Sequence, residues 1–223
     1  MKKIFLISII VLLTSFKTYN NDAGLHFDHE VTYIMDHDDF SVFVSKSNSK
    51  DFLLSVKDND NLFVFLQNTK LFKLRISNLN EIDWSGSVYD GDPSDQEFNE
   101  IVETTETKTI NNLKCTRFIA KSPIIRSQSI EVYIAKDNKI NNVNFLFSLR
   151  TRANAAVKGL VTEINLINDK TSDIRSVLKL KEIKPTKKTL KVNDENLKVL
   201  IEKYDYHKNH KVDNIVIDTI DEK

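Results

Sequence analysis

The chain predicts a mainly β fold of the α+β kind: one antiparallel sheet of short strands with a few short helices. Three observations predict it. Apolar residues recur at every second position, as where Phe52, Leu54 and Val56 alternate with Leu53, Ser55 and Lys57, the period of a strand with one wet face. Polar turn clusters such as Lys57-Asp-Asn-Asp-Asn61 cut the apolar runs short, which is the signal of a meander. Asn111-Asn112 joins two such runs, and Asn tolerates the positive φ that a tight hairpin requires.

Taken in order, Glu30–Met35 and Asp39–Ser45 open the series of strands. Leu62-Phe-Val-Phe-Leu66 is apolar on both faces, so one face meets the core and the other meets something else. Phe72, Leu74 and Ile76 alternate with Leu71, Lys73 and Arg75 in the next strand. Asn78–Glu100 holds Trp84, Gly86, Gly91, Pro93 and many acids, and reads as a long acidic loop. Its Asp90-Gly-Asp-Pro-Ser-Asp95 run lacks the ligand spacing and closing Glu of a calcium loop. As a long loop it is a candidate contact surface.

Glu106–Ile110 and Leu113–Ala120 form the two arms of the hairpin. Ile130, Val132 and Ile134 face inward on the next strand, Glu131 and Tyr133 outward, and Val143, Phe145 and Phe147 continue the alternation. Ser148–Val157 is rich in Ala, Leu and Arg, which favour a short helix or a structured crossover. Gly159 then opens the strand Leu160–Ile167, as a left-handed residue ending the helix. Val177–Ile183 is the last strand, and Lys184–Lys191 reads as a basic linker. Leu197, Leu200, Ile201 and Tyr204 make one stripe of a helix capped by Asp194. In the polar tail, Ile215 and Ile217 could add an edge strand.

The domain layout expected is a signal peptide over 1–20, a sheet domain over 24–184, and a linker, helix and tail over 185–223. Lys2 and Lys3 precede the apolar run Ile4–Leu13, the pattern of a secretory signal and too short to span a bilayer. The chain is therefore expected to be exported, periplasmic or secreted, with no transmembrane segment after cleavage. The full chain has 32 Lys+Arg and 32 Asp+Glu. Losing Lys2, Lys3 and Lys17 leaves a net charge of −3, so a nucleic-acid partner, which needs a clustered basic footprint, is not expected.

Cys115 is the only cysteine. It is expected to be buried and inert, since no base or helix N-terminus stands beside it. His26-x-x-His29 and His207-x-x-His210 fall short of the three or four ordered ligands of a zinc site. No nucleophile elbow, P-loop, dinucleotide fingerprint or zincin motif is present, and the four glycines leave little for a phosphate-cradling loop. The chain is accordingly read as non-enzymatic, with no catalytic residue, metal or cofactor.

The segment Glu106-Thr-Lys-Thr-Ile-Asn-Asn-Leu-Lys-Cys115, the strand Glu131-Val-Tyr-Ile-Ala135, and Gly159-Leu160 before an apolar strand resemble the GLPGLI family of exported bacterial proteins and related domains of unknown function. Only Gly159 and Leu160 match the motif that names the family, and Lys158 stands where it has Pro. The resemblance covers roughly Glu30–Lys184. It implies a curved antiparallel sheet, a half-barrel like that of the LolA carriers, and no agreed activity. Two functions follow. The first binds a lipid or other apolar ligand in the concave face, lined by Phe63, Phe65, Leu71, Tyr133 and Leu146, because burial of apolar surface favours such a ligand. The second is a structural or interaction protein of the cell envelope whose groove is filled by its own helices. It would meet a protein partner through the 78–100 loop and the C-terminal helix.

Overall fold

A computed structural model describes residues 24–35, 37–46, 50–56, 61–67, 70–78, 81–89, 98–125, 127–149, 151–154 and 156–191. It also describes positions 195, 198, 199 and 202, while side chains at 56–89, 147–149 and 152 are not described. The strands are β1 (Leu25–Met35), β2 (Asp38–Val44), β3 (Asp51–Val56), β4 (Asn61–Gln67), β5 (Lys70–Asn78) and β6 (Glu81–Tyr89). They continue as β7 (Glu100–Ile110), β8 (Leu113–Lys121), β9 (Gln128–Ala135), β10 (Arg152–Ala153), β11 (Leu160–Asn168) and β12 (Ile174–Leu190). All lie in one twelve-stranded sheet, ordered β10-β7-β8-β9-β11-β12-β1-β2-β3-β4-β5-β6. Every neighbour is antiparallel except β10, which runs parallel to β7. The order has two ends, so the described sheet is open and not a closed barrel.

The sheet is curved. Asn111, at the tip of the β7–β8 hairpin, donates its Nδ2 to Leu180 O at 2.9 Å. In a flat sheet, β8 and β12 would stand three strand spacings apart, about 14 Å. The hairpin tip must therefore fold across β9 and β11. Asn111 and Asn112 carry φ of 48° and 63°, the conformation that the two-residue turn needs.

Three expectations are corrected and one is narrowed. Glu81–Tyr89 is a strand paired with β5, so the acidic segment is not one long loop; residues 90–97 lie outside the described residues. Val143–Leu149 is a 3-10 helix, not a strand. Over 148–157, of the two alternatives, the described residues form the structured crossover, with Arg152–Ala153 as the short strand β10. The basic linker is the second half of β12, which runs without a break to Leu190. Pro185 is tolerated there because it pairs with His29 at a register shift against β1. The β11 ladder on the other side of β12 ends at Lys179, so the missing N–H interrupts no inner ladder at that point.

The chain from β9 to β11 is the element that shapes the interior. Instead of turning directly, it leaves β9, forms the 3-10 helix, adds β10 to the outer edge of β7 and returns. Phe145 and Leu146 of that helix are fully buried among Val31, Tyr33, Phe40, Val42, Ile130, Val132, Ile134 and Ile164. Phe145 stacks on Tyr33 with centroids 5.6 Å apart and lies 6.4 Å from Phe40.

Gly159 closes the excursion with φ of +135°. No helix precedes it, so the expected helix-ending role is wrong while the need for glycine stands. A Cβ here would meet the Ala135 carbonyl oxygen at 2.5 Å. Because that neighbour is backbone, it cannot rotate away. Gly159→Ala is expected to cost about 2 kcal/mol, read as a lower denaturation midpoint; an unchanged midpoint would show that the backbone relaxes freely.

The C-terminal unit is described at four positions. Glu195, Lys198, Val199 and Glu202 are helical, with Lys198 Nζ 3.9 Å from Glu202 Oε1. Its expected apolar stripe lies outside the described residues, as do the leader, His207, His210 and the tail.

Candidate functional site

The five residues expected to line one groove are not brought together among the described side chains. Phe63 and Phe65 fall on β4 and Leu71 on β5, where side chains are not described. Leu146 is fully buried, within the 3-10 helix. Tyr133 is half-buried and alternates with Val132 and Ile134, which pack with Leu146 in the core. Tyr133 and Leu146 therefore belong to opposite faces of the sheet and cannot line one groove. The strand reading fails because the alternation of Val143, Phe145 and Phe147 with Asn144 and Leu146 mimics a strand over what is a 3-10 helix.

On the inner face, one polar cluster fastens the 3-10 helix to the sheet. Asn142 is 2% exposed. Its Nδ2 donates to the Tyr33 hydroxyl at 2.6 Å, and its Oδ1 accepts from Val161 N at 2.8 Å. The Tyr33 hydroxyl donates in turn to Val161 O at 2.8 Å. Asn142 N donates to Gly159 O at 3.1 Å, and Asn141 Oδ1 accepts from Gly159 N at 3.2 Å. These buried polar groups thus satisfy one another, as burial requires.

Burial pushes the Tyr33 phenol well above its ordinary pKa, and the Asn142 bond offsets only part of that rise. The raised folded value fixes the sign of the pH dependence. Below the unfolded pKa near 10 the contribution to stability is complete. Above it the unfolded chain loses a proton that the native state keeps, so stability falls as pH rises. Wild type should therefore lose more stability between about pH 9 and 11 than Tyr33→Phe does, measured as urea midpoints. Equal losses would show that Tyr33 titrates freely.

The opposite face of β7, β8, β9 and β11 carries a row of charges that the sequence does not single out. Arg117 pairs in register with Tyr133, and Tyr133 with Glu163. Arg117 Nε donates to Glu131 Oε1 at 2.5 Å and its Nη1 to Glu106 Oε1 at 2.7 Å. Asn165 Nδ2 donates to Glu131 Oε2 and to Glu163 Oε1, both at 2.9 Å. Lys108 Nζ reaches both oxygens of Glu163 at 3.1 Å and stands 4.9 Å from the Tyr133 ring centroid. Glu131, Glu163 and Asn165 are all buried.

Burial works against the charge on Arg117, but the bond and field of Glu131, with Glu106, outweigh it and raise its pKa. Burial, then the field of Glu131, raises the Tyr133 phenol, with Arg117 opposing. Each buried carboxylate already has donors, and the row bonds β7 and β8 to β9 and β11.

Cys115 sits beside this row, fully buried as expected. Its Sγ lies 3.3 Å from Leu113 O and 3.3 Å from Thr162 Oγ1. Cys115→Ser is expected to cost only about 1 kcal/mol, because those two groups give the hydroxyl partners. Native protein should resist a thiol reagent that labels the unfolded chain; fast native labelling would contradict the burial.

Among the described residues no group of three His, Cys, Asp or Glu is arranged to hold a metal. His26 Nδ1 lies 3.0 Å from Thr189 Oγ1, and His29 Nδ1 is buried without a hydrogen-bond partner. No described helix is long and apolar enough to cross a membrane.

No protein-family model matches the chain, and no curated protein does. Among solved structures, it is similar to a LolA superfamily protein from Nitrosomonas europaea. The two are 10% identical with a TM-score of 0.24, over 84% of this chain and 98% of that one.

Proposed function

We propose that this chain is an exported interaction protein of the cell envelope, acting by binding and not by catalysis, with the inner face of its sheet filled by its own 3-10 helix. The observation that supports this reading is the complete burial of Phe145 and Leu146 against β1, β2, β9 and β11, fastened by Asn142. A ligand on that part of the inner face would have to displace a packed aromatic stack. Export is supported by Lys2-Lys3 before the apolar run Ile4–Leu13. Two measurements test the reading. N-terminal sequencing of exported material should begin between about residue 18 and 25; intact cytoplasmic protein would sink export. Titration with a fluorescent fatty acid should show no saturable uptake, and co-extracted lipid would overturn the filled interior.

A second reading, an apolar-ligand carrier, is favoured by one observation. Phe43 and Leu53 are buried and paired in register, although they alternate with Val42, Val44, Phe52 and Leu54 of the core. Leu53 then pairs with Phe63, and Phe63 with Leu74. An apolar row thus extends along these strands at positions that alternate with the core set. Phe65→Ala separates the readings: lost lipid uptake at unchanged stability favours the carrier, and no uptake by either protein favours the first.

A further inference from the structure

One end of the sheet presents isoleucines to solvent, Ile124 and Ile125 on one turn and Ile174 at the start of β12 beside a second turn stitched to the first. The first follows β8, the second joins β11 to β12. Asp169 N donates to Ser127 O at 2.9 Å, and Ser129 Oγ donates to the Asp169 carboxylate at 2.8 and 2.9 Å. Register aligns Lys121 with Ser129, Ser129 with Ile167, and Ile167 with Ile174. The first turn is braced from within. Ser122 Oγ accepts from Ile124 N at 3.3 Å and Ile125 N at 2.9 Å, and Gln128 N donates to Ile125 O at 2.9 Å.

On this frame Ile124 is 66% exposed, Ile125 45% and Ile174 63%. Single exposed apolar residues are ordinary, but several on adjoining turns make a patch that marks a contact site. The folded chain gains little by holding bulky aliphatic groups in water, yet hydrogen bonds fix the turn that does so. Lys121, Lys170 and Arg175 are exposed on the same segments. Two exposed acids stand among them with hydroxyl donors, Asp169 accepting from Ser129 Oγ and Asp173 from Thr171 Oγ1 at 2.6 Å.

We propose that this end of the sheet docks on an anionic bilayer surface. Ile124, Ile125 and Ile174 enter the acyl boundary, and Lys121, Lys170 and Arg175 meet lipid phosphates. Apolar groups with three cations on the same segments match the layering of such a surface, aliphatic below and anionic above. A protein partner fits less well, because a stable protein interface buries about 800 Å² on each side, more than two narrow turns present.

The test is co-sedimentation of the full chain with vesicles of phosphatidylcholine alone or mixed with phosphatidylglycerol. The expected result is binding to the mixed vesicles that weakens with salt. Ile124→Asp with Ile125→Asp should lower partitioning about tenfold or more at an unchanged melting temperature, since both side chains are exposed. Lys121→Glu with Lys170→Glu should remove the preference for anionic vesicles by a route that leaves the apolar tip intact. Absence of wild-type binding to mixed vesicles at low salt overturns the proposal. Full binding by both folded double variants overturns it too. A protein partner that binds wild type and not the Ile variant, while vesicles bind neither, would assign the patch to that partner instead.

Discussion

Asn142→Ala is expected to destabilise the protein by about 3 kcal/mol or more. The side chain accepts from Val161 N and donates to the Tyr33 hydroxyl in a site 2% exposed. Alanine leaves Val161 N–H orphaned, a loss of about 1–3 kcal/mol for one buried donor, and adds the void of the missing amide. Tyr33→Phe should cost less, about 2 kcal/mol, since it orphans Val161 O and one Asn142 amide hydrogen but empties little volume. The double variant should cost less than the two single losses together, because both remove the same Tyr33–Asn142 bond. Urea denaturation of the four proteins gives the coupling directly. Additive losses would mean that the bond contributes nothing and that the 3-10 helix is held by Phe145 and Leu146 alone.

The strands are legible where local pattern decides structure. Period-two alternation reveals β3, β5 and β9, and Asn111-Asn112 reveals the hairpin of β7 and β8. Misreadings arise where tertiary context overrides pattern. Val143, Phe145 and Phe147 alternate with Asn144 and Leu146 like a strand, but Asn141 and Asn142 commit their side chains to Gly159 and Val161 and divert the chain across the sheet. These paired asparagines are the available signal. Pro185 reads as the end of a sheet because a proline breaks a doubly laddered strand; its register shift against β1 removes the conflict. Glu81–Tyr89 is hidden by acids and Gly86, which disfavour strands locally.

The candidate site is less legible than the fold. Phe63 and Phe65 stand out because β4 is apolar on both faces, and the neighbouring pair Phe43 and Leu53 behaves the same way. Tyr133 and Leu146 share one groove only if both lie on strands, since alternation gives sides only to a strand that exists, and for Leu146 it does not. Arg117, Glu131, Glu163 and Asn165 occupy outward positions on their strands, which sequence alone reads as solvated. Nothing local says that they bond one another across β8, β9 and β11; that follows from the register that sets them side by side.

That buried row sets the second large effect. Arg117→Ala should destabilise by about 3–5 kcal/mol, the usual loss when one member of a buried ion pair is removed. The Arg117 side chain is 19% exposed and that of Glu131 only 7%, so solvent cannot replace the guanidinium. Glu131 would keep the Asn165 amide as a donor but not a countercharge. Arg117→Lys should recover only part of the loss, because one ammonium cannot reproduce donors directed at both Glu131 and Glu106. Adding Glu131→Gln to Arg117→Ala should restore stability, since it removes the stranded charge while keeping an oxygen for Asn165. The exposed pair Lys181–Asp39 provides the contrast: Lys181→Ala should cost under about 1 kcal/mol. If Arg117→Ala proves as mild as Lys181→Ala, solvent reaches the row and screens it. If Arg117→Ala is costly and Glu131→Gln rescues it, the loss comes from a stranded buried charge between β8 and β9.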